Sequence, residues 1–449
     1  MINKLPLPSQ KTSSSIVENT LRIINGFNQY FFVLLILLLY FFRFHLDINE
    51  DHYMVLAKQF YNPDWVPASF TFNEFPGPRI FYEYFAGFLL SFLSFEMVSA
   101  IGKTLLCIGL AFPLVRIYKL LNLSNVDILL HLPILFLARQ SYFGEELIML
   151  SFETKGISYI FAFFAVYYIL LDKYRQATIH LVISTYFHLL VGGWIMAYFL
   201  LYHLFFVKSF KKTFILGLAY SVSLIPFLIY LLPSLTGNFS PVESPVNLDW
   251  IYSYFLKPYH TAIWANTGFF LKGFLICTVF FVMCLFVFNQ NEEKYNQKIN
   301  LWNILIFAGT LLSVALAYFD KNGVFVKYFP WRINSLFVFL IYLQIVLLFK
   351  NFLLKEKLIP YFNFSILAFF VLVVFTRMGK HLAIDLYSFA SGKTVEASYQ
   401  DMANYISNNT DQKDVLLYLP ERAEPDNHYS FDMETDAILR VNNINIKSI

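Results

Sequence analysis

The chain has 449 residues, of which 58% are hydrophobic and only 14% are charged, and its mean hydropathy is +0.56. Soluble domains carry about 25% charged residues, so no soluble fold could bury this much apolar surface. The formal net charge of +3 comes without any Lys/Arg run, so we expect no nucleic-acid partner. Long apolar stretches predict an all-α polytopic membrane protein embedded in the lipid bilayer.

In chain order, the apolar stretches predict about eleven transmembrane helices, several of them shorter than the ~20 residues of a perpendicular span. The predicted spans are residues 26–42, 98–118, 126–142, 156–171, 177–191, 194–208, 213–232, 267–288, 300–318, 333–350 and 360–377. Residues 80–95 are apolar but short, contain Glu83 and follow Pro76-Gly77-Pro78. We predict a helix there that lies in the membrane interface or dips in partway. A full crossing would move every later loop to the other side of the membrane, against the distribution of basic residues.

The distribution of basic residues predicts the topology. Loops assigned to the inside hold twelve Lys and Arg residues, whereas the outside loops after the first hold six. By the positive-inside rule we expect a cytoplasmic N-terminus and an extracytoplasmic C-terminus. The predicted organisation is a cytoplasmic segment over 1–25, a membrane domain over 26–378 with a first extracytoplasmic loop over 43–97, and an extracytoplasmic domain over 379–449.

The C-terminal segment is predicted to form a small α/β unit. Apolar residues recur at helical spacing over 394–409, and residues 414–420 and 437–441 are typical of strands. A unit of this size has little core of its own, so we expect it to pack on the membrane domain.

The first outer loop carries the most informative polar cluster, Asn49-Glu50-Asp51-His52-Tyr53. Carboxylates just beyond a span can lie beside the headgroup of a lipid-linked substrate. Glycosyl transfer from such a donor needs a base for the acceptor hydroxyl and positive charge for the departing phosphate. A solvated acidic surface loop is the alternative interpretation.

From this loop onward the chain resembles polytopic glycosyltransferases of the GT-C type. The polar loop Arg139–Gly144 follows the third span, and Phe187–Gly192 resembles the FHPxxG-type end of a span, with Leu189 in place of Pro. Three further segments carry the resemblance: Leu256–His260 (an RxPHH-type loop with Lys257 for Arg and Tyr259 for the first His), Phe329–Arg332 (a PxR-type motif) and Tyr405–Leu417 (a helix followed by an apolar strand).

The resemblance implies a GT-C-like fold in a bacterial cytoplasmic (inner) membrane, and it implies a set of site residues. The catalytic base of such enzymes, an acidic residue of the first outer loop, maps best to Asp51, with Glu50 adjacent and Asp47 as the rival. The residues expected to bind substrate or phosphate are His188, Lys257, His260, Arg332 and Arg79. No metal-ligating residue is assigned, and a divalent metal ion stays open as an alternative source of positive charge.

The implied activity is transfer of a sugar from a polyprenyl-phosphate-linked donor to a glycan, lipid or protein acceptor on the extracytoplasmic face, as in the synthesis of a cell-envelope polysaccharide. A non-enzymatic flippase or transporter of a lipid-linked saccharide is the alternative, although a transporter should place ionisable residues near the bilayer midplane. A catalytically inactive scaffold is the third hypothesis. Two of the site residues also have structural interpretations: His188 could hydrogen-bond a neighbouring helix, and Arg332 could be an interfacial anchor.

Overall fold

The structure of the protein is a computed structural model. It describes residues 19–43, 46–47, 49–65, 77–138, 140–144, 146–236, 247–256, 258–261, 267–288 and 294–355, and short pieces at 365–366, 368–369, 372, 405, 408–409, 416–418 and 446–448.

The described part of the chain is overwhelmingly helical. Its main helices are α1 (Asn19–Gly26), α2 (Gln29–Phe41), α3 (Glu50–Tyr61), α4 (Ile80–Leu90), α5 (Phe95–Leu120), α6 (Asn125–Ala138), α7 (Thr154–Leu170), α8 (Tyr174–Phe187), α9 (Leu189–Tyr202), α10 (Phe210–Thr236), α11 (Leu248–Trp250), α12 (Pro258–Thr261), α13 (Thr267–Phe288), α14 (Lys294–Phe319) and α15 (Asn334–Lys355). Short 3₁₀ turns cover Gly77–Arg79, Val326–Tyr328 and Pro330–Ile333, and π-helical turns cover His203–Val207 and Ile251–Leu256.

The helices make this a multi-pass α-helical membrane protein. Five helical segments in the described residues are long and apolar enough to cross a membrane, or six if the pair α1 and α2, bent by 93°, forms one span. Shorter apolar helices lie within α6, α7 and α13. Ten of the predicted spans coincide with one helix each, while 360–377 falls mostly outside the described residues. The count of eleven spans stays a prediction.

Helices α3 and α4 form a hairpin in the predicted first outer loop. They approach closely at Gly87, where a Cβ atom would lie 2.3 Å from the Ala57 carbonyl oxygen. The hydroxyl of Tyr82 on α4 donates to the carbonyl of Phe152, which ties the hairpin to the 140–153 loop. With eleven residues α4 is roughly 16 Å long, about half the thickness of the hydrocarbon core, so it is too short to cross. Its interfacial location stays a prediction.

Contacts divide the connecting segments between two ends of the bundle. At one end, called the site end below, the first loop, the 140–153 loop, the turn at His188, α12 and the 320–333 segment contact one another. At the opposite end, Asp172 pairs with Lys294 and Lys298, and Lys350 pairs with Asp127. The site end therefore gathers the loops that were assigned to the outside, although the compartment that it faces stays a prediction.

The turn between α8 and α9 lies four to five residues earlier than the predicted boundary between two spans. Residues 177–191 were expected to form one span, but α8 ends at Phe187 and α9 begins at Leu189. His188 takes an extended conformation (φ −150°, ψ 100°) that reverses the chain. The apolar run through the turn hides it from a hydropathy pattern.

Two short strands occur in the C-terminal segment. The strand β1 (Leu416–Tyr418) lies within the predicted strand 414–420 and pairs in parallel with β2 (Ile446–Ser448). Residues 437–441, the predicted second strand, lie outside the described residues, as does most of 394–409. The small α/β domain stays a prediction.

Candidate functional site

Glu50 is a buried carboxylate at the start of α3. Its side chain is 0% exposed and lies 3.1 Å from Nζ of Lys103, itself fully buried in α5. Its carboxylate also accepts hydrogen bonds from the Ser99 hydroxyl (2.8 Å), the Phe152 backbone N–H (2.6 Å) and the Asp47 backbone N–H (2.8 Å). A carboxylate with its lone pairs occupied in this way stabilises the fold and has few acceptor sites left for a substrate hydroxyl.

Asp47 shares the same lysine. Its Oδ2 lies 2.8 Å from Nζ of Lys103, its Oδ1 lies 3.8 Å from Arg43, and its side chain is 12% exposed. Lys103 therefore balances two carboxylates of the first loop from one position on α5. A lysine so placed joins the loop to the membrane domain, since removing it would leave the buried Glu50 carboxylate without a cation and Asp47 with only the more distant Arg43.

The 140–153 loop is shaped by two buried amides. Gln140 accepts from the backbone N–H groups of Ile148 and Met149 and donates to the Met149 carbonyl. Asn334, the first residue of α15, accepts from the backbone N–H groups of Tyr142 and Phe143. The loop is thus closed on itself and attached to α15 by hydrogen bonds, which gives its acidic residues defined positions.

The loop presents Glu146 to Arg332. Nε of Arg332 lies 3.0 Å from Oε1 of Glu146, and Nη1 of Arg332 donates to Nε2 of His188 at 2.7 Å. Oε2 of Glu146 and Oε1 of Glu153 each lie 3.5 Å from Nζ of Lys155. We call Glu146, Glu153, Lys155, His188 and Arg332 the Arg332 cluster.

The tautomer of His188 follows from its two neighbours. Nε2 receives the strong hydrogen bond from Arg332, while Nδ1 lies 3.3 Å from the backbone N–H of Val191. An imidazole cannot accept at both nitrogens, because the neutral ring carries one N–H. Because a guanidinium can only donate, Nε2 is the acceptor in the shorter contact and His188 fixes the orientation of the guanidinium; in this tautomer the longer contact between Nδ1 and the Val191 N–H is not a hydrogen bond.

Burial and charge agree with these assignments. Burial alone would raise the pKa of Glu146, but the charges of Arg332 and Lys155 outweigh it and lower that pKa to about 2. Burial and the charge of Arg332 hold the pKa of His188 well below its ordinary value. The cluster therefore contains two cations, two paired carboxylates and a neutral imidazole at neutral pH.

His260 reaches the same loop from α12. Its Nδ1–H donates to the carbonyl of Gly144, whose φ of +66° favours glycine, and its ring meets the Phe329 ring edge-on at 5.6 Å. The Arg332 guanidinium lies 4.8 Å from the centre of the same Phe329 ring. Phe329 thus separates His260 from Arg332, and the indole N–H of the neighbouring Trp331 is buried without a hydrogen-bond partner among the described residues.

The first loop and the Arg332 cluster are continuous. Nδ2 of Asn49 donates to Oε2 of Glu153 at 3.3 Å, and the backbone of the neighbouring Phe152 donates to Glu50. Arg79 stacks over the Tyr53 ring at 4.6 Å, and its charge contributes to the low pKa of His188. The first loop and the Arg332 cluster therefore form one continuous group of polar side chains at the site end.

The structure brings together some of the predicted site residues and leaves others undescribed. His188, His260 and Arg332 converge on Glu146, and Arg79 lies near enough to act electrostatically on His188. Asp47 and Glu50 share Lys103, and the hydrogen bond from Asn49 to Glu153 connects their loop to that group. The side chain of Asp51 and all of Lys257 lie outside the described residues.

Sequence reasoning missed the organising role of several residues. No role in the site was assigned to Glu146, Glu153 or Lys155 from the sequence, but both carboxylates are buried and lie at ion-pair distance from Lys155. The position of Lys103 within an apolar span, with acidic residues in the preceding loop, is a signal that could have identified the ion pair. Nothing in the local sequence marks Gln140 or Asn334 as organisers of a loop.

Within the described residues, no group of three or more His, Cys, Asp or Glu side chains is arranged to hold a metal ion. No family model, curated protein or solved structure matches the chain. The resemblance to GT-C-type enzymes therefore rests on the motifs alone.

Proposed function

We propose that the protein is a membrane glycosyltransferase that transfers a sugar from a polyprenyl-phosphate-linked donor to an acceptor at the site end of the bundle. The extracytoplasmic location of that end is part of the proposal. The observation that carries it is the oriented guanidinium of Arg332, placed beside the acidic first loop at one end of an apolar bundle.

Arg332 supports this proposal because it is held in position before any ligand binds. A guanidinium has five N–H donors in a planar fork; the hydrogen bond to His188 occupies one of them, while Nε lies at ion-pair distance from Glu146 without forming a hydrogen bond. The Arg332 side chain is 12% exposed, so part of it reaches the surface of the site. Donors fixed in this way stabilise a developing phosphate charge without reorganisation.

The proposed base is a carboxylate of the first loop. Asp51 is the first choice, and Asp47 is the second because it keeps 12% exposure. Glu50, also predicted from the sequence, is a weaker candidate because its oxygens are engaged by Lys103, Ser99 and backbone N–H groups.

The proposed reaction is a single displacement at the anomeric carbon. The base takes the proton of the acceptor hydroxyl as the acceptor oxygen forms its bond to the anomeric carbon. The bond between that carbon and the phosphate oxygen breaks, and the phosphate leaves with the electron pair. Arg332 stabilises the charge that the leaving phosphate gains.

Arg332→Lys tests the proposal because it keeps the charge but removes the fork. Membrane vesicles containing the protein would receive a panel of radiolabelled polyprenyl-phosphate hexoses and pentoses, and transfer of label out of the lipid fraction would be measured. We expect a loss of about 10²-fold in transfer rate. The matched control is Arg116→Lys on α5, where the guanidinium stacks over Phe164 at 5.3 Å and belongs to no part of the site.

Two results would contradict the proposal. One is equal transfer by the wild type and Arg332→Lys. The other is the absence of transfer from every donor in the panel together with rapid movement of a fluorescent lipid-linked sugar across the vesicle bilayer, which would favour the carrier alternative.

A further inference from the structure

One surface of the α3–α4 hairpin is an exposed stripe of aromatic side chains. On α4, exposed residues recur at positions i, i+3, i+4 and i+7, and all four are aromatic. With one residue just beyond the helix, the aromatic stripe consists of Phe81 (45% exposed), Tyr84 (56%), Phe85 (42%), Phe88 (50%) and Phe92 (61%). The opposite face of α4 is buried against the protein through Tyr82, Glu83, Ala86, Gly87 and Leu90.

The aromatic stripe differs from the ordinary lipid-facing surface of this protein. The exposed face of α10 is mainly aliphatic and includes Ile215, Leu218, Val222, Ile225, Leu228 and Ile229. Aliphatic faces are typical of the hydrocarbon core, whereas aromatic side chains concentrate at the depth of the lipid headgroups. The stripe is therefore suited to the boundary at which a lipid passes from its phosphate to its hydrocarbon chain.

The aromatic stripe leads to the Arg332 cluster. The Phe81 ring packs 6.0 Å from the Phe187 ring, and Phe187 directly precedes His188. Farther along α4, the Phe85 ring lies 6.2 Å from the ring of Phe152 in the 140–153 loop. A molecule lying along the stripe would thus reach the cluster at the end marked by Phe81.

The side chain of Arg79 supplies a positive charge at the same end of the stripe. Arg79 immediately precedes α4 and stacks on Tyr53, and within the described residues no carboxylate lies within ion-pair distance of it. The neighbouring carboxyl, Glu83, does not fully offset its charge, because burial raises the pKa of Glu83 to about 7 against the opposing effect of Arg79. Positive charge at one end and an aromatic surface beyond it complement a lipid with an anionic head.

We propose that the aromatic stripe is the subsite for the hydrocarbon chain of a polyprenyl phosphate, with its phosphate at Arg79. This rests on the proposed function and names where the donor lipid lies. The chain follows α4 from the membrane, and the phosphate arrives beside His188 and Arg332.

The probe for this inference is a photoactivatable polyprenyl monophosphate in liposomes of phosphatidylglycerol and phosphatidylethanolamine containing the wild-type protein. Cross-linked peptides would be mapped by mass spectrometry. We expect labelling concentrated in residues 80–92, competed by unlabelled polyprenyl monophosphate and unaffected by the same amount of extra phosphatidylglycerol. Because the readout is binding, a protein that labels there but transfers no sugar would retain the subsite while disproving the proposed transfer.

Two variants sharpen the test. Phe85→Ala with Phe88→Ala should reduce the competable labelling about tenfold, whereas Ile225→Ala with Leu228→Ala, a pair of the same spacing and similar exposure on α10, should not. Arg79→Gln should abolish the preference of the protein for polyprenyl phosphate over uncharged polyprenol.

The wild-type labelling map keeps the test independent of whether a variant folds. Labelling spread evenly over α4 and α10, or equally displaced by phosphatidylglycerol, would overturn the proposal and leave the stripe as an interfacial anchor in the bilayer.

Discussion

Glu50 and Glu146 each form an ion pair at the site end, but their basic partners differ in exposure. Glu50 pairs with Lys103, which is fully buried, so this pair can only support the first loop. Glu146 pairs with Arg332, which keeps some exposure and has unused donors, so this pair can orient a group toward a ligand. The two glutamates therefore have different roles, because Arg332 reaches the surface of the site and Lys103 does not.

Asp51→Asn tests the proposed base. The substitution keeps the shape of the side chain but removes its capacity to accept the acceptor proton, and removal of a general base typically costs about 10²–10⁴-fold in rate. Glycan product would be measured in cells that lack the native gene and carry the variant, with membrane levels checked by blot.

Glu50→Gln is the contrasting variant for that experiment. It would leave Lys103 without one of its two partners, so we expect a lower melting temperature and a lower membrane level. Full activity of Asp51→Asn at normal membrane level would remove Asp51 as the base and leave Asp47.

The depressed pKa of His188 predicts a pH dependence of stability. The unfolded chain binds a proton near the ordinary His pKa of 6.5, while the folded protein binds it only at much lower pH. Stability from the neutral ring is therefore fully present above that value and is lost as the pH falls below it. His260, whose pKa is also lowered by burial, contributes in the same direction.

Melting temperatures in detergent between about pH 5 and pH 8 would measure this effect. We expect His188→Gln, which keeps an acceptor for Arg332, to make the decline at acidic pH shallower. His180→Gln on α8 is the control, because His180 lies outside the Arg332 cluster: it hydrogen-bonds the Gln176 carbonyl of its own helix, and its ring packs against aromatic rings of α7. A wild-type slope unchanged in His188→Gln would contradict the assignment of a neutral buried ring.

At the scale of elements, the reversal between α8 and α9 places His188. The two helices meet so closely that a Cβ on Gly192 would lie 2.3 Å from Oγ1 of Thr185 and 2.5 Å from its backbone nitrogen. The turn therefore depends on a residue without a side chain one turn beyond His188. Its neighbour Gly193 faces open space.

Gly192→Ala should separate α8 from α9 and displace His188 from Arg332. Overpacking of this kind costs about 1–3 kcal/mol, and the proposed transfer should fall with the loss of alignment. Gly193→Ala is the matched control and should leave both melting temperature and transfer unchanged. Similar melting temperatures for the two variants would show that the packing at Gly192 is not a constraint.

For the whole molecule, the grouping of loops at two ends has a topological consequence. The site end collects the buried acidic and basic pairs, and the opposite end carries the lysines near Asp172 and Asp127. The positive-inside rule predicts that the second end is cytoplasmic. On that prediction the proposed chemistry would lie on the extracytoplasmic face, where a lipid-linked donor would present its sugar.

A reporter that is active only in the cytoplasm tests this orientation when fused after Ile449. We expect it to be silent, because an odd number of spans with a cytoplasmic N-terminus places the C-terminus outside. The control is the same reporter inserted after Lys173, in the turn between α7 and α8, which should be active. A bright signal from the Ile449 fusion would reverse the orientation and the side of the proposed site.

The sequence by itself determined the class of protein and most helix positions, because a helix in lipid must satisfy its own backbone and shows this as a continuous apolar run. It also pointed to His188, His260 and Arg332 at the ends of spans, since charges avoid the hydrocarbon core. It could not locate the turn at His188, because the apolar run continues through it and only close packing at Gly192 reveals it.

Only the tertiary structure decided which charges are partners. Glu50 and Lys103, Glu146 and Arg332, and Asn334 and the Tyr142 backbone are far apart in sequence, and ion pairing depends on distance and burial that no local pattern contains. The structure likewise separated the carboxylate that is saturated by hydrogen bonds, Glu50, from its neighbours in the first loop. Similar side chains therefore have different roles, because the role of each depends on the groups that the fold brings within a few ångströms of it.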